Sequence, residues 1–533
     1  MKKLISISLI LCILFSCSLF TVFAQEEQGE IIEFCNTIKF DTSTNTLYYS
    51  GDEEFRTFTY AGDFYDADYI KRRETLFQKA TKLVIEEGAV EIPREYFHDM
   101  KNLEEVVLPS SLKSIEDFSF WNCPKLKSVS GENVTEICAG AFGECTALTY
   151  ADFPEVQHLG KIRCGTNNNR LGIYRYQKLS IKEPDIYQEE YIIRHPVHEY
   201  YVGAFQGCSS LKEVSIPNIK GIGAKTFYKC NSLTTINKNN HLDNVTYLGR
   251  TAFYGCKSLR NISLERTKKL ISGHDPIADT KDEGVFGYCT SLESVNIPNA
   301  EYMGNGTFYG CTKLKKINTN NTLSKVTTLG EYSFAGCKSL ENISLPKVKS
   351  LNYGKWSDFD EEELNKIRST RPGSTFWDSF DSWEYEIIYN NIKKTVITRY
   401  CAVFANCTKL KSVKLGGVEN IRKKTFANCQ NLTTVTTGKS LKSVGDYAFY
   451  KCSSLKSVTL PKNVASLGIR AFARCTKLKT VNVKSTSLKK VGLDAFKIIN
   501  KTPTFNCPKS KLKTCKKLIK PNAPSKARFV GKY

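Results

Sequence analysis

The residues best suited to chemistry are few and scattered. Six histidines occur in 533 residues. His195-Pro-Val-His198-Glu199 sets two imidazoles at i and i+3, a spacing that can grip a metal, but no third ligand accompanies them. Asp358, Asp360, Glu361, Glu362 and Glu363 form an acidic run that lacks the glycine of a calcium loop and reads as the start of a solvated helix. Those carboxylates could converge in pairs, as glycoside hydrolysis requires, so a polysaccharide-acting enzyme stands as a third reading of the chain. No nucleophile motif, glycine-rich phosphate loop or cofactor fingerprint is present. No catalytic residue, metal or cofactor is therefore expected.

Of the twenty cysteines, twelve (Cys123, Cys145, Cys208, Cys230, Cys256, Cys289, Cys311, Cys337, Cys407, Cys429, Cys452 and Cys475) fall at one recurring position, which Met100 takes in the first copy. Methionine can replace a packing residue but not a disulfide partner. The expectation is a ladder of buried free thiols, in a protein that matures where oxygen is scarce or burial protects them. No Cys-x-x-Cys pair is present to suggest zinc. Cys507 and Cys515 are the pair to examine for a bridge.

What positions these cysteines is a phrase that returns thirteen times: Phe, Cys three residues on, Leu after three more, then Val or Ile at the next third position, where one copy has Ala151. Its Phe marks are Phe97, Phe120, Phe142, Phe205, Phe227, Phe253, Phe286, Phe308, Phe334, Phe404, Phe426, Phe449 and Phe472, with a fading copy at Phe496. Uninterrupted copies lie 22 to 26 residues apart, a leucine-rich-repeat period. One copy buries too little apolar area to offset its own ordering, so copies must stack. In Leu455-Lys-Ser-Val458-Thr-Leu460 the alternation turns Val458 and Leu460 inward on a short strand; Val464, Leu467, Phe472 and Cys475 bring the chain back around the core. The predicted fold is an α/β repeat solenoid, curved, with a parallel β-sheet on one face.

Residues 1–24 read as a signal peptide cleaved after Ala24, with Leu14-Phe15-Ser16-Cys17 as an alternative lipoprotein-type site. Residues 25–95 read as a cap: a hairpin of Ile38–Phe40 and Thr46–Tyr49, a helix over Asp66–Ala80, and a first strand from Lys82 to Gly88. The solenoid spans 96–500. Residues 501–533 read as a C-terminal basic cap, with a helix over Lys509–Lys520. No later segment is long and apolar enough to span a membrane.

Phrases such as Leu329-Gly-Glu-Tyr-Ser-Phe334-Ala-Gly-Cys337-Lys-Ser-Leu340-Glu-Asn-Ile343-Ser-Leu345-Pro346, Val444-Gly-Asp-Tyr-Ala-Phe449-Tyr-Lys-Cys452-Ser-Ser-Leu455 and Ile85-Glu-Glu-Gly88 resemble the BspA-like class of leucine-rich-repeat proteins, over about residues 82 to 497. The resemblance implies a non-enzymatic surface or secreted protein, in a family several of whose members act as adhesins. It carries over no binding residue, because the repeat encodes the scaffold.

Copies come in threes. The middle member lacks the second apolar strand residue, having Ser130, Asn237, Asn318 or Thr436 followed by a polar residue or Gly. Extra sequence, near 161–202, 265–284 and 352–402, follows only the third member, always before the next Phe, so the insertions should leave from one edge and form one composite surface. They are aromatic: the last holds Trp356, Trp377, Trp383, Tyr385 and Tyr389, the first Tyr174, Tyr176, Tyr187 and Tyr191. Such side chains on a rigid scaffold make binding hot spots, or else pack each insertion onto the solenoid. The strand face, with residues such as Glu213, Asn261, Ser294, Asn342, Ser344, Ser457 and Thr459, reads mainly as a solubilising polar ladder that could also hydrogen-bond a glycan or peptide.

Charge is concentrated at one end. Residues 401–533 hold 29 Lys or Arg against three acids (Glu419, Asp446, Asp494), a balance of +26, so the other 400 residues sum to −4 of the total +22. Lys509, Lys511, Lys513, Lys516, Lys517 and Lys520 are the candidate contacts to an anionic polymer or membrane surface. Nucleic acid is not an expected partner, since no reading module accompanies the charge. The sequence thus points to an adhesin-like secreted or cell-surface protein that binds an extracellular protein or glycan through its insertions. The alternative is a structural envelope component held electrostatically by its basic third.

Overall fold

The structure is a computed structural model. It describes residues 30–35, 37–51, 67–161, 202–270, 284–349, 351 and 402–533. The signal peptide, Cys17 and the insertion segments 162–201, 271–283 and 352–401 lie outside the described residues.

The chain winds as a solenoid of parallel strands. Each coil gives a first strand, such as Ser457–Leu460 with inward Val458 and Leu460, and most add a second of two to four residues, such as Ser466–Leu467. First strands pair with first strands and second with second, in register: Ser457 with Thr480 and Val458 with Val481, Ser466 with Lys490 and Leu467 with Val491. The second row is an addition to the single sheet expected from the sequence. Its strands are mostly too short to print a period-two pattern.

The core is organised by the turn around each Phe. Fourteen rings, from Phe97 to Phe496, stack with centroids 5.1 to 5.8 Å apart and planes within 27°. Along that ladder the amide of each Phe up to Phe472 donates to a carbonyl of the next coil at 2.7 to 2.9 Å, as Phe120 does to Ala141. Two residues after each Phe the backbone is left-handed (Asn122, Glu144, Gly207, Lys229 and their equivalents), which aims that amide along the axis too: Lys229 N–H reaches the Tyr254 carbonyl at 2.7 Å. Finally each of the twelve recurrent cysteines donates its thiol to the Phe carbonyl of the preceding coil, at 3.0 to 3.3 Å.

Both ends are closed. Ile31–Cys35, Ile38–Asp41 and Thr46–Tyr49 form an antiparallel unit, and the last pairs in parallel with Lys82–Ile85, the first strand of the stack. Helix α1 (Ala67–Lys79) buries Leu76 and Phe77, and the Phe77 ring extends the phenyl stack onto Phe97 at 5.7 Å. At the other end helix α2 (Leu512–Ile519) seats Cys515 and Ile519 in the core. A strand absent from the sequence reading, Arg528–Gly531, pairs with Thr504–Cys507 and stacks Phe529 on Phe505 at 5.2 Å. That added strand covers an edge that would otherwise offer free backbone groups to another chain.

Fifteen cysteines among the described residues, from Cys123 to Cys515, are unbridged and buried, Cys507 and Cys515 included. Burial pushes the thiols of Cys289 and Cys407 up to about 12. A thiol whose folded pKa is raised stabilises the fold fully below its unfolded pKa of about 8.5. That contribution is lost as pH climbs from there towards 12. The ladder should therefore be unreactive to a thiol reagent in the native chain at pH 8 and fully reactive in denaturant. Urea midpoints should fall between pH 9 and 11 more steeply for the natural chain than for a Cys289→Ala, Cys407→Ala variant; ready native labelling would contradict the ladder. Replacing one rung, Phe308→Ala, should cost about 3–5 kcal/mol in the same unfolding measurement.

Candidate functional site

Two surfaces on the described residues have the chemistry of a binding site. The first is α2. Leu512, Cys515, Leu518 and Ile519 lie on the face turned to the last coil, which leaves Lys513, Lys516, Lys517 and Lys520 exposed around a shallow depression with Pro521. Lys509 and Lys511, in the preceding 3-10 turn, are exposed as well. All six lysines lie within twelve residues, and none of their ammonium groups has a carboxylate within 4 Å among the described residues. The sequence after Asp494 contains no acid. Helix α2 has no side-chain cap and no acid in its first turn, where the helix dipole would favour one. It is held by its apolar face, against the mutual repulsion of its lysines. Beneath it the Cys507 thiol is kept protonated by its hydrogen bond to Cys515 and by burial.

The second surface is the outward face of the first-strand sheet. Its side chains alternate with core residues, as in Asn342–Leu345, where Ile343 and Leu345 are buried while Asn342 and Ser344 face out. This row is not continuous. After Ile236 and after Ile317 the chain departs from the strand, through Asn237 and Asn240 in one case and Asn318 and Asn321 in the other, all four left-handed. Asn318 Oδ1 accepts the Ile297 amide of the previous coil at 2.7 Å, and Asn321 Oδ1 accepts the Ile317 amide at 2.7 Å. The missing apolar residue of each such middle copy is thus a built step in the sheet, bridged onward by His241 to Ser263 and by Thr322 to Ser344.

A third feature, the tyrosine edge, has no counterpart in the sequence reading. Tyr228, Tyr254, Tyr288, Tyr309 and Tyr332 run along the turn edge with ring centroids 5.2 to 6.2 Å apart. Gly287 lies against the Tyr254 ring so closely that a Cβ there would come within 2.7 Å of it. The signal in the sequence was tyrosines one or two residues from Phe, after it at Tyr228, Tyr254, Tyr288 and Tyr309 and before it at Tyr332. The insertions leave the described chain at Lys161, Leu270 and Leu351 and return at residues 202, 284 and 402, always between the second-strand position and the Phe turn. Lys269–Leu270 still pairs with Tyr302–Met303, so the regular coil there extends past residue 265.

The nine insertion aromatics Trp356, Trp377, Trp383, Tyr385, Tyr389, Tyr174, Tyr176, Tyr187 and Tyr191 lie outside the described residues, as do His195, His198 and the acidic run at 358–363. Among the described residues no cluster of His, Cys, Asp or Glu could hold a metal ion, and no helix is long and apolar enough to cross a membrane.

No curated protein matches the chain. Solved structures do. A leucine-rich repeat protein from Bacteroides ovatus is 23% identical, with 79% of this chain and 88% of that one covered and a TM-score of 0.46. One from Eubacterium ventriosum is 16% identical over 84% and 95%, at a TM-score of 0.35. A leucine rich cell surface protein from Faecalibacterium prausnitzii is 17% identical over 87% and 94%, at 0.34. The family model described as the BspA type leucine rich repeat region matches residues 74–171, 187–274, 280–380 and 378–502, well over half of the chain. The repeating Phe, Cys and Leu of the core are the mark of that assignment: this chain belongs to the BspA type leucine-rich-repeat family.

Proposed function

We propose that this is a non-enzymatic, secreted or cell-surface binding protein of the adhesin kind, whose solenoid holds an adhesive edge away from an anionic surface gripped by its basic end. The observation that carries the reading is the run of exposed lysines on α2 and the turn before it, without acidic neighbours, on the element that seals the solenoid. Like charges so close lower stability, and a merely soluble surface would mix both signs. An anionic polymer or headgroup layer relieves that repulsion. Attraction of this kind acts over about 10 Å at 0.1 M salt and fades as salt rises.

The other half of the reading concerns the insertions. Trp356, Trp377, Trp383, Tyr385 and Tyr389 in the third, and Tyr174, Tyr176, Tyr187 and Tyr191 in the first, are the candidate contacts to an extracellular protein or glycan. What supports them is their chemistry, together with the common position in the coil at which the insertions are rooted.

The test is binding of residues 25–533 to immobilised dextran sulfate and to phosphatidylglycerol vesicles over a salt series. The full chain should bind at 50 mM salt and release steeply by 500 mM. A variant carrying Lys513→Glu, Lys516→Glu, Lys517→Glu and Lys520→Glu should lose at least about 10-fold in affinity. Unchanged affinity in the folded variant would contradict the proposed role of the basic end.

A further inference from the structure

The second step in the sheet creates a site of different chemistry. Past Ile317, the turn through Asn318 and Asn321 stands beside a sheet of three four-residue strands, Asn342–Leu345, Ser412–Leu415 and Thr434–Thr437. Their registers align the outward side chains in two rows. Asn342, Ser412 and Thr434 form one, and Ser344, Lys414 and Thr436 the other. A groove of about 320 Å³ lies over this array, walled by Asn320 and Asn321. With strands about 4.8 Å apart and alternate residues about 6.7 Å apart, the array covers about 10 by 7 Å, the footprint of one or two pyranose rings.

Its chemistry is selective. The lining offers amides and hydroxyls, and its apolar members, Ile343 and Val413, are themselves buried in the core. Among the described residues that line it there is no aromatic or exposed aliphatic anchor of the kind a peptide side chain needs. The amides of Asn321 are already spent on the Ile317 N–H and the Lys315 carbonyl, so the wall is rigid. Ser412 donates to Asn342 Oδ1 at 2.7 Å, which fixes that amide with its NH2 free to donate outward. Lys414 is the one charged side chain of the lining. The nearby acid Glu341 is already paired with Lys411 at 2.8 Å, and Lys414 has no carboxylate within 4 Å among the described residues.

We infer that this groove is a saccharide subsite for a uronate-bearing polysaccharide: the hydroxyl and amide rows take ring hydroxyls, and Lys414 takes the carboxylate. One cation suits one carboxylate per site and is too few for a polyphosphate or nucleic acid. The inference goes beyond the role of the basic end, which is a separate surface, and its test keeps the two apart.

The experiment is calorimetric titration of residues 25–533 with trigalacturonate and with its methyl ester. The natural chain should bind the free acid. Lys414→Ala should weaken it at least about 10-fold, the magnitude of a charge-assisted hydrogen bond. The methyl ester should bind as weakly to the natural chain as the acid does to Lys414→Ala. Ser344→Trp, which fills the groove from an outward-facing, half-buried position, should abolish binding, while the four-lysine cap variant should bind normally. The inference is overturned if the natural chain does not bind trigalacturonate, if Ser344→Trp binds unchanged, or if binding survives Lys414→Ala and disappears in the cap variant.

Discussion

The ties between coils converge on one residue, the Phe of the turn. Its ring stacks, its amide donates forward, and its carbonyl receives the thiol of the following coil. Most of these carbonyls also accept the amide of their own coil's Cys, as Phe205 does from Cys208 at 3.2 Å, so the thiol of the next coil fills the second lone pair. Cysteine suits the place because it packs as a small apolar residue yet carries a weak donor, whereas a hydroxyl is more polar as donor and acceptor and would cost more to desolvate there. The thiols are therefore structural hydrogen-bond donors. Burial, which disfavours the thiolate, keeps them unreactive.

Because register is set at the turn, the length of chain between turns is free to vary. Phe334 and Phe404 are separated by 70 residues, and their rings stack at 5.3 Å and 2°, as closely as neighbours 22 residues apart. Chain can be added before the Phe without disturbing the core, and additions occur there three times. A solenoid with this property separates folding from recognition: the ladder carries stability, and variation concentrates on the edge and on the outward sheet face.

The ladder was legible in the sequence because it repeats, and a fixed period is visible even when single strands are too short to predict. The hairpin, helix α1 and the basic helix were legible for similar reasons, each having an apolar pattern or a turn signal of its own. Other features left little trace. The left-handed position two residues after each Phe is filled by Glu144, Lys229, Asn428 and Arg474 as well as by glycine, because the axial hydrogen bonds outweigh the backbone preference. The strand Arg528–Gly531 is four residues of ordinary composition whose pairing is decided by distant partners. Asn237 and Asn318 were visible as departures from the repeat. That they build steps in the sheet depends on hydrogen bonds to the preceding coil, which only the fold brings into reach.

The molecule thus has a neutral, thiol-filled core and a strongly cationic end, with six lysines on and before α2 that pair with no acidic side chain among the described residues. The account rests on these being independent: the ladder holds the shape, and the cap meets the anion. Hydrogen exchange of the full chain with and without dextran sulfate tests that independence most directly. The amides of Phe120, Phe227, Phe308 and Phe426 should exchange slowly and at the same rate in both conditions, with added protection confined to residues 509–520. Protection spread along the ladder, or none at the cap, would contradict it.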